Sequence, residues 1–292
     1  MLGLSISGTL GVFVTQIPLD VGLIMSIRTL IGSLFLLGIF LLSGREFSLK
    51  ALGKNLPRLV VSGSLFGFSG LFIFKSYGAV GVGLTSIIYA LNPVFIFMIS
   101  LVFLREGFSY KKFLGLMVSV AGLVLINGAS MTGLGLNMDF KYGILAAITY
   151  ALMSIINKKI KGLDIILVSL VQLFVASVLI FAYLLLTGSL SFTWPGRRGL
   201  IYLGIISFLH TGYAMMLYFE GLQNLPAQSV ALLSYIESLS ALLASSLVLK
   251  ERLGPVEILG AVLIIGGAIV GELVDSRGRR TKDDIGNGKI NT

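Results

Sequence analysis

The 292-residue sequence contains no cysteine, a single histidine and a single tryptophan, and charged residues make up only 12% of it. Without cysteine, neither a disulfide framework nor a thiolate metal site can form. A soluble domain carries about 25% charged residues, so this chain has too few charges to cover a surface that faces water. The net charge is +9, but the basic residues lie between apolar runs and at the C-terminus. They therefore form no stripe of the kind that binds nucleic acid.

Long apolar runs are what the sequence has instead. Hydrophobic residues make up 56% of the chain, and a membrane-spanning helix needs about 20 mostly apolar residues. Because the runs are continuous rather than alternating, they predict helices, and tight turns are expected at Pro18-Leu19-Asp20 and between Gly78 and Gly83. The ten predicted spans are 2–18, 21–43, 57–79, 82–104, 112–128, 140–157, 164–187, 198–220, 226–249 and 255–275. The fold class predicted is an all-α integral membrane protein.

Lysine and arginine are unevenly distributed over the connecting segments. With ten spans, the loops alternate between the two sides of the membrane. One side, which includes the C-terminal tail, has 15 basic residues and the other has 5. Because basic residues accumulate on the cytoplasmic side, we expect a multi-pass protein of the cell (inner) membrane with both termini in the cytoplasm. Residues 276–292 are polar and charged, and they are predicted to form a disordered cytoplasmic tail.

The sequence also matches itself at a shift of about 145 residues. Matching pairs at this shift are Ser100/Ser245, Leu104/Leu249, Glu106/Glu251, Leu114/Leu259, Gly115/Gly260 and Gly122/Gly267, and a weaker match at 144 pairs Asp20 with Asp164 and Ser33 with Ser177. Two five-span repeats, 1–138 and 139–275, are therefore predicted. Because five is odd, the second repeat enters the membrane from the opposite side, and inverted repeats of this kind are a transporter architecture. Gene duplication in a helical bundle without transport is the alternative.

Short motifs in both halves carry a family resemblance. They are Ile27-Arg28-Thr29, the stretch 84–94, Leu104-Arg105-Glu106, the glycines from Gly115 to Gly122, Tyr235-Ile236-Glu237 within 226–251, and the glycines from Gly260 to Gly267. Together they resemble EamA-type members of the drug/metabolite transporter superfamily. In the first span, where that family usually has a Trp-Gly pair, this chain has Gly8-Thr9-Leu10-Gly11. The resemblance implies two inverted five-helix halves, a cavity lined by spans 1, 3, 4, 6, 8 and 9, and transport of small metabolites such as amino acids.

Polar side chains inside the spans mark the candidate site. An ionisable group at mid-membrane costs roughly 2.5–3.5 kcal/mol on insertion scales, and Glu237 lies near the middle of its span. It could bind a cationic group or a proton, or it could form a structural hydrogen bond. The predicted substrate-binding residues are Tyr89, Asn92, Tyr150, Ser154, His210, Ser234, Glu237 and Ser238.

Several of these residues have a second interpretation. His210 could carry protons or could be a satisfied interior donor. Asn92 aligns with Glu237 in the repeat, and with Pro93 it could loosen the helix and free backbone carbonyls. Arg28 is expected to be structural, pairing with Asp20 or reaching lipid headgroups. Lys75 and Glu220 lie near span ends, where snorkelling accounts for them.

The leading functional prediction is a secondary transporter that moves an amino acid or amine-like solute by alternating access, with proton coupling through Glu237 or His210. An intramembrane enzyme and a non-catalytic membrane scaffold are the alternatives. No phosphate-binding loop is present, and neither a cofactor nor a metal is predicted. The expected partners are a small-molecule substrate and the lipid bilayer. The small-xxx-small pairs Gly63/Gly67 and Gly267/Gly271 suit close helix packing or a homodimer.

Overall fold

The computed structural model describes residues 1–44, 48–127, 140–191, 193–248, 254–256 and 258–271, and their regular structure is helical. The helices are α1 (Leu2–Gly8), α2 (Leu10–Val14), α3 (Val21–Leu42), α4 (Leu49–Tyr89), α5 (Asn92–Phe103), α6 (Tyr110–Asn127), α7 (Lys141–Lys158), α8 (Ile165–Leu186), α9 (Gly196–Ile205), a π-helical segment (Ile206–Tyr213), α10 (Ala214–Asn224), α11 (Ala227–Leu233), α12 (Tyr235–Val248) and α13 (Ile258–Gly271). Within the described residues, five stretches are long and apolar enough to cross a membrane, and three shorter apolar helices accompany them. The predicted all-α membrane fold is confirmed.

Most helix bounds fall within a few residues of the predicted spans, but α4 begins at Leu49 instead of residue 57. Its first two turns carry Lys50, Lys54 and Asn55 among apolar residues, and they lie beside another loop, because Asn55 Nδ2 donates to the carbonyl of Lys161 at 3.2 Å. Hydropathy detects only the part of a helix that can contact lipid, so it missed this extension. Pro57, where the predicted span starts, lies inside the helix.

The predicted turn between Gly78 and Gly83 has a helical backbone, and α4 continues to Tyr89. Even so, the hydroxyls of Ser76 and Thr85 are only 2.8 Å apart. Nine residues of straight helix would separate these positions by about 13.5 Å. The chain therefore folds back between them, at the position that the sequence predicts.

Contacts between loops sort them onto two sides. At one end of the bundle, Asn55 contacts Lys161, Lys158 Nζ donates to the carbonyl of Leu222, and the Glu106 carboxylate accepts from the amides of Ala227 and Gln228 at 2.8 and 3.2 Å. At the other end, Thr193 Oγ1 donates to the carbonyl of Pro18 at 3.0 Å. The loops after spans 2, 4, 6 and 8 thus lie together, and those after spans 1 and 7 lie together. This is the alternation that ten spans require.

The pair α6 and α13 shows how the two halves are related. A Cβ at Gly122 would lie 2.5 Å from the carbonyl oxygen of Gly260, and a Cβ at Gly115 would meet the carbonyl of Gly267. The repeat, however, equates Gly115 with Gly260 and Gly122 with Gly267. Contacts that cross in this way are the signature of a two-fold axis. As residue numbers rise along α6, the numbers of the contacted residues in α13 fall. The two helices are therefore antiparallel, and the two-fold axis is perpendicular to them.

The predicted small-residue pairs pack inside the chain. Gly63 and Gly67 face α8, and Gly267 and Gly271 lie against residues of α6 and α11. Several sequence predictions fall outside the described residues, namely the boundary at 138/139, the tail 276–292 and the motif partners Lys250 and Glu251.

Candidate functional site

Several helices are interrupted near the centre of the molecule. Span 1 breaks at Thr9, the fourth span breaks at residues 90–91, and the ninth breaks at Ser234. Ser234 corresponds to Tyr89 at the repeat shift of 145, so the last two breaks fall one or two residues apart in the two halves, although only the first precedes a proline. The eighth span contains the π-helical segment. Such segments are rare and occur frequently at functional sites.

The interruption in span 1 connects two of these regions. Gly8 lies against the backbone carbonyl of Glu237, where a Cβ would not fit. The next residue, Thr9, places its hydroxyl 2.8 Å from His210 Nε2. The ring of Phe13 covers the His210 ring at 5.1 Å between centroids. Span 1 therefore holds the helix that carries Glu237 and the segment that carries His210 side by side.

Three tyrosines from three helices form an aromatic row beside Glu237. The ring centroids of Tyr89 and Tyr150 are 5.8 Å apart, and those of Tyr150 and Tyr218 are 5.9 Å apart. Ser154 Oγ lies 3.0 Å from the Tyr218 hydroxyl. Each of the three phenols interacts electrostatically with Glu237. The structure thus brings together four of the residues predicted from sequence and adds Tyr218.

Arg28 reaches the same cluster, contrary to the sequence interpretation. Its Nη1 lies 3.4 Å from the Thr211 hydroxyl in the π-helical segment, and its charge interacts with Glu237 and Tyr89. Asp20, the predicted partner, instead accepts from the amides of Gly22 and Leu23 and caps α3. The prediction of a pairing with Asp20 is therefore wrong, and the second span contributes to the site.

A sequence signal for this arrangement does exist. An intramembrane arginine needs a counter-charge, and Glu237 is the one carboxylate near the middle of a predicted span. The two residues lie in different halves and more than 200 positions apart. Only the packing of the helices brings the two charges close enough to influence each other.

The other predicted residues lie around this cluster. His210 is buried, and both ring nitrogens have neighbours, the Thr9 hydroxyl and the carbonyl of Ile205 at 3.5 Å. Ser234 Oγ donates to its own helix. Asn92 Nδ2 donates to the carbonyl of Tyr89, and its buried Oδ1 has no hydrogen-bond partner among the described residues. Ser238 is half-buried, directly after Glu237.

Two charged residues predicted to lie outside the site do so. Lys75 and Glu220 are exposed. Lys75 Nζ lies over the rings of Tyr142 and Tyr183, 5.7 and 5.5 Å from their centroids. This is the position expected of a lysine that snorkels towards the membrane surface.

The fold is that of a multi-pass membrane protein, and charged and polar side chains gather inside its helix bundle. The model of the EamA-like transporter family matches residues 1–128 and 140–271, so the chain belongs to this family. The resemblance noted in the sequence is thereby confirmed.

Known relatives agree with this family. The chain is 26% identical over 294 residues to the uncharacterized transporter YoaV of Bacillus subtilis, covering 95% of this chain and 98% of the relative. It is 22% identical over 271 residues to the uncharacterized transporter YxxF of the same organism, covering 91% and 86%. Protein PecM of Dickeya dadantii is 27% identical over 245 residues, covering 79% and 80%. A crystal structure of a protein with 18% identity superposes with a TM-score of 0.83 over 94% of this chain and 95% of the other, which shows that the fold is shared.

Proposed function

We propose that the protein is a secondary transporter that moves a small polar solute, an amino acid or amine-like compound, across the cell (inner) membrane by alternating access. The observation that carries this proposal is the cluster of Glu237 with Tyr89, Tyr150 and Tyr218, near mid-membrane and contributed by helices of both halves. A carboxylate near mid-membrane is costly, and it is usually found facing a cavity or pathway.

The cluster is partly accessible, and its side chains suit a polar solute. Glu237, Tyr89 and Tyr150 are only half-buried although they lie in the interior of their spans. A carboxylate attracts an ammonium group, and tyrosine faces add cation–π attraction. An amine or amino acid is therefore the solute class that these groups favour.

The helix interruptions support a mechanism of alternating access. At Thr9 and at residues 90–91 the backbone already uses tighter i→i+3 hydrogen bonds, such as Leu91 N to the carbonyl of Ile88 at 3.1 Å. These positions can bend with little further loss of hydrogen bonding. The two-fold contact between α6 and α13 relates the two halves, as rocking of inverted repeats requires.

Orientation and coupling complete the proposal. The basic loops and the loop contacts support cytoplasmic termini. Proton coupling is assigned to Glu237 or His210, because both are ionisable and lie beside the interrupted span 1.

The test is counterflow in reconstituted vesicles. Vesicles are preloaded with an unlabelled mixture of the twenty amino acids, and the exchange of the labelled mixture is measured. Wild-type protein should exchange label, and Glu237→Gln should reduce exchange at least tenfold, because a charged hydrogen bond contributes about 1.5–3 kcal/mol. Glu220→Gln, at an exposed carboxylate, is the matched control.

A pH gradient separates binding from coupling. If Glu237→Gln retains transport that responds to the gradient as wild type does, Glu237 is not the coupling residue. If wild type exchanges no member of the mixture and no amine, the proposed solute class is wrong. If the protein exchanges none of the solutes tested, an intramembrane enzyme or a scaffold is favoured instead.

A further inference from the structure

Arg28 is only slightly engaged by the protein around it. A guanidinium has five N–H donors. Among the described residues, the one hydrogen bond of Arg28 is the contact of 3.4 Å with Thr211, which is close to the upper limit of a hydrogen bond. Most of its donors are thus available. In a membrane interior, available donors on a permanent charge require another partner.

The position of Arg28 is fixed relative to Glu237. Thr211, which Arg28 contacts, directly follows His210, and His210 contacts Thr9. Gly8, directly before Thr9, packs on the backbone of Glu237. This short chain of contacts links Arg28 through span 1 to the backbone of Glu237, and the two charges interact.

The equivalent positions in the other half show that packing does not need these charges. At the repeat shift of 144, Arg28 corresponds to Gln172, and at 145, Glu237 corresponds to Asn92. Gln172 is fully buried, donates to Ser62 at 2.7 Å and is paired with the Asn157 amide. A neutral amide therefore serves the structural role at the same place in the fold. The charge of Arg28 has a different use.

We propose that Arg28 is a specificity-determining residue that binds the carboxylate of the solute, while Glu237 binds its ammonium group. This inference rests on the proposed function and deepens it. Together the two residues make a site of zero net charge. A zwitterion entering the site leaves the net charge at zero and gives each pole a partner. A simple amine or a simple carboxylate leaves one buried charge unpaired, which is strongly unfavourable.

The test uses matched trios of probes, in which the amine lacks the carboxylate of the amino acid and the acid lacks its ammonium group. Alanine, ethylamine and propionate form one trio, and leucine, isopentylamine and 4-methylpentanoate form the second. Phenylalanine, phenethylamine and 3-phenylpropionate form the third. Binding to the full-length protein in detergent is measured by calorimetry, because amines and acids leak through vesicles. Wild type should bind at least one amino acid ten or more times tighter than the amine and acid of its trio.

The two charge-removing variants should shift this preference in opposite directions. Arg28→Gln should bind the amino acid about 10- to 100-fold more weakly and should prefer the amine. Glu237→Gln should prefer the acid. Arg28→Lys keeps the charge but not the forked geometry, so it should keep the preference with reduced affinity. Lys75→Gln, a change of the same kind at an exposed lysine, should bind as wild type does.

Three results would overturn the proposal. In the first, wild type binds an amine or acid as tightly as the amino acid. In the second, Arg28→Gln and Glu237→Gln change selectivity in the same direction. In the third, wild type binds no amino acid, and counterflow with other solutes then shows whether transport itself still holds. If Arg28→Gln does not fold, Arg28→Lys and Glu237→Gln decide the outcome by the same criteria.

Discussion

The two halves of the chain are alike at the α6–α13 contact and unlike at the centre of the molecule. At α6–α13, the glycine contacts are symmetric. Gly122 packs on Gly260, and the equivalent contact joins Gly115 to Gly267. At the centre, the equivalent positions carry different chemistry. Arg28 and Glu237 are charged, whereas Gln172 and Asn92 are neutral amides.

The helices around the centre diverge in the same way. Span 1 is interrupted at Thr9, but its counterpart α7 is continuous from Lys141 to Lys158. The eighth span has a π-helical segment, and its counterpart in α4 is an α-helix. The two halves are thus equivalent at the α6–α13 contact and differ at the centre, where the charged residues lie. Structural and functional positions can therefore be told apart by comparing a residue with its repeat partner.

The largest effect is expected at the symmetric contact. In Gly267→Ala, the new methyl group would overlap the carbonyl of Gly115 and the Ser119 hydroxyl. Overpacking of this kind costs about 1–3 kcal/mol, so the melting temperature should fall by several degrees. Gly266→Ala is the matched control, because no atom lies within 4 Å of the added carbon. Helix propensity gains the same amount in both variants. Equal melting temperatures of the two variants would contradict the close packing of α6 against α13.

A smaller effect is expected at the neutral counterpart of Arg28. Gln172→Leu would leave Ser62 and Asn157 without their partner in the interior. Interhelical hydrogen bonds in membranes contribute about 1–2 kcal/mol at most. The variant should therefore melt lower but keep the wild-type preference among the three probes of each trio. If its selectivity changed as in Arg28→Gln, the division between a structural and a functional half-site would be wrong.

Much of this arrangement was readable from the sequence, and the remainder depends on packing. Apolar runs located the spans, and the polar side chains within them identified Tyr150 and Ser154 as site candidates. The direction of Arg28 was not predictable, because the small polar side chains of its helix, Ser26, Thr29 and Ser33, form a stripe on another side of the helix. The break at Thr9 and the π-helical segment were also missed. Each depends on the neighbouring helix that occupies the space, as Gly8 does against Glu237.

The smallest predicted effect tests the equivalence of the halves at two helix starts. The helices α3 and α8 each have 22 residues and begin after an aspartate, Asp20 or Asp164. Each carboxylate accepts a backbone amide at 2.8 Å, from Gly22 and Ile166 respectively. Losing such a cap costs about 1 kcal/mol, so Asp20→Ala and Asp164→Ala should lower the melting temperature by a similar, small amount.

Asparagine variants at the same two positions separate the cap from the charge. Asparagine caps helices about as well as aspartate, so Asp20→Asn and Asp164→Asn should melt close to wild type. A much larger loss in Asp20→Ala than in Asp164→Ala would show that Asp20 does more than cap its helix. In that case Asp20 would belong with Arg28, eight residues further along the chain, among the positions where the two halves differ.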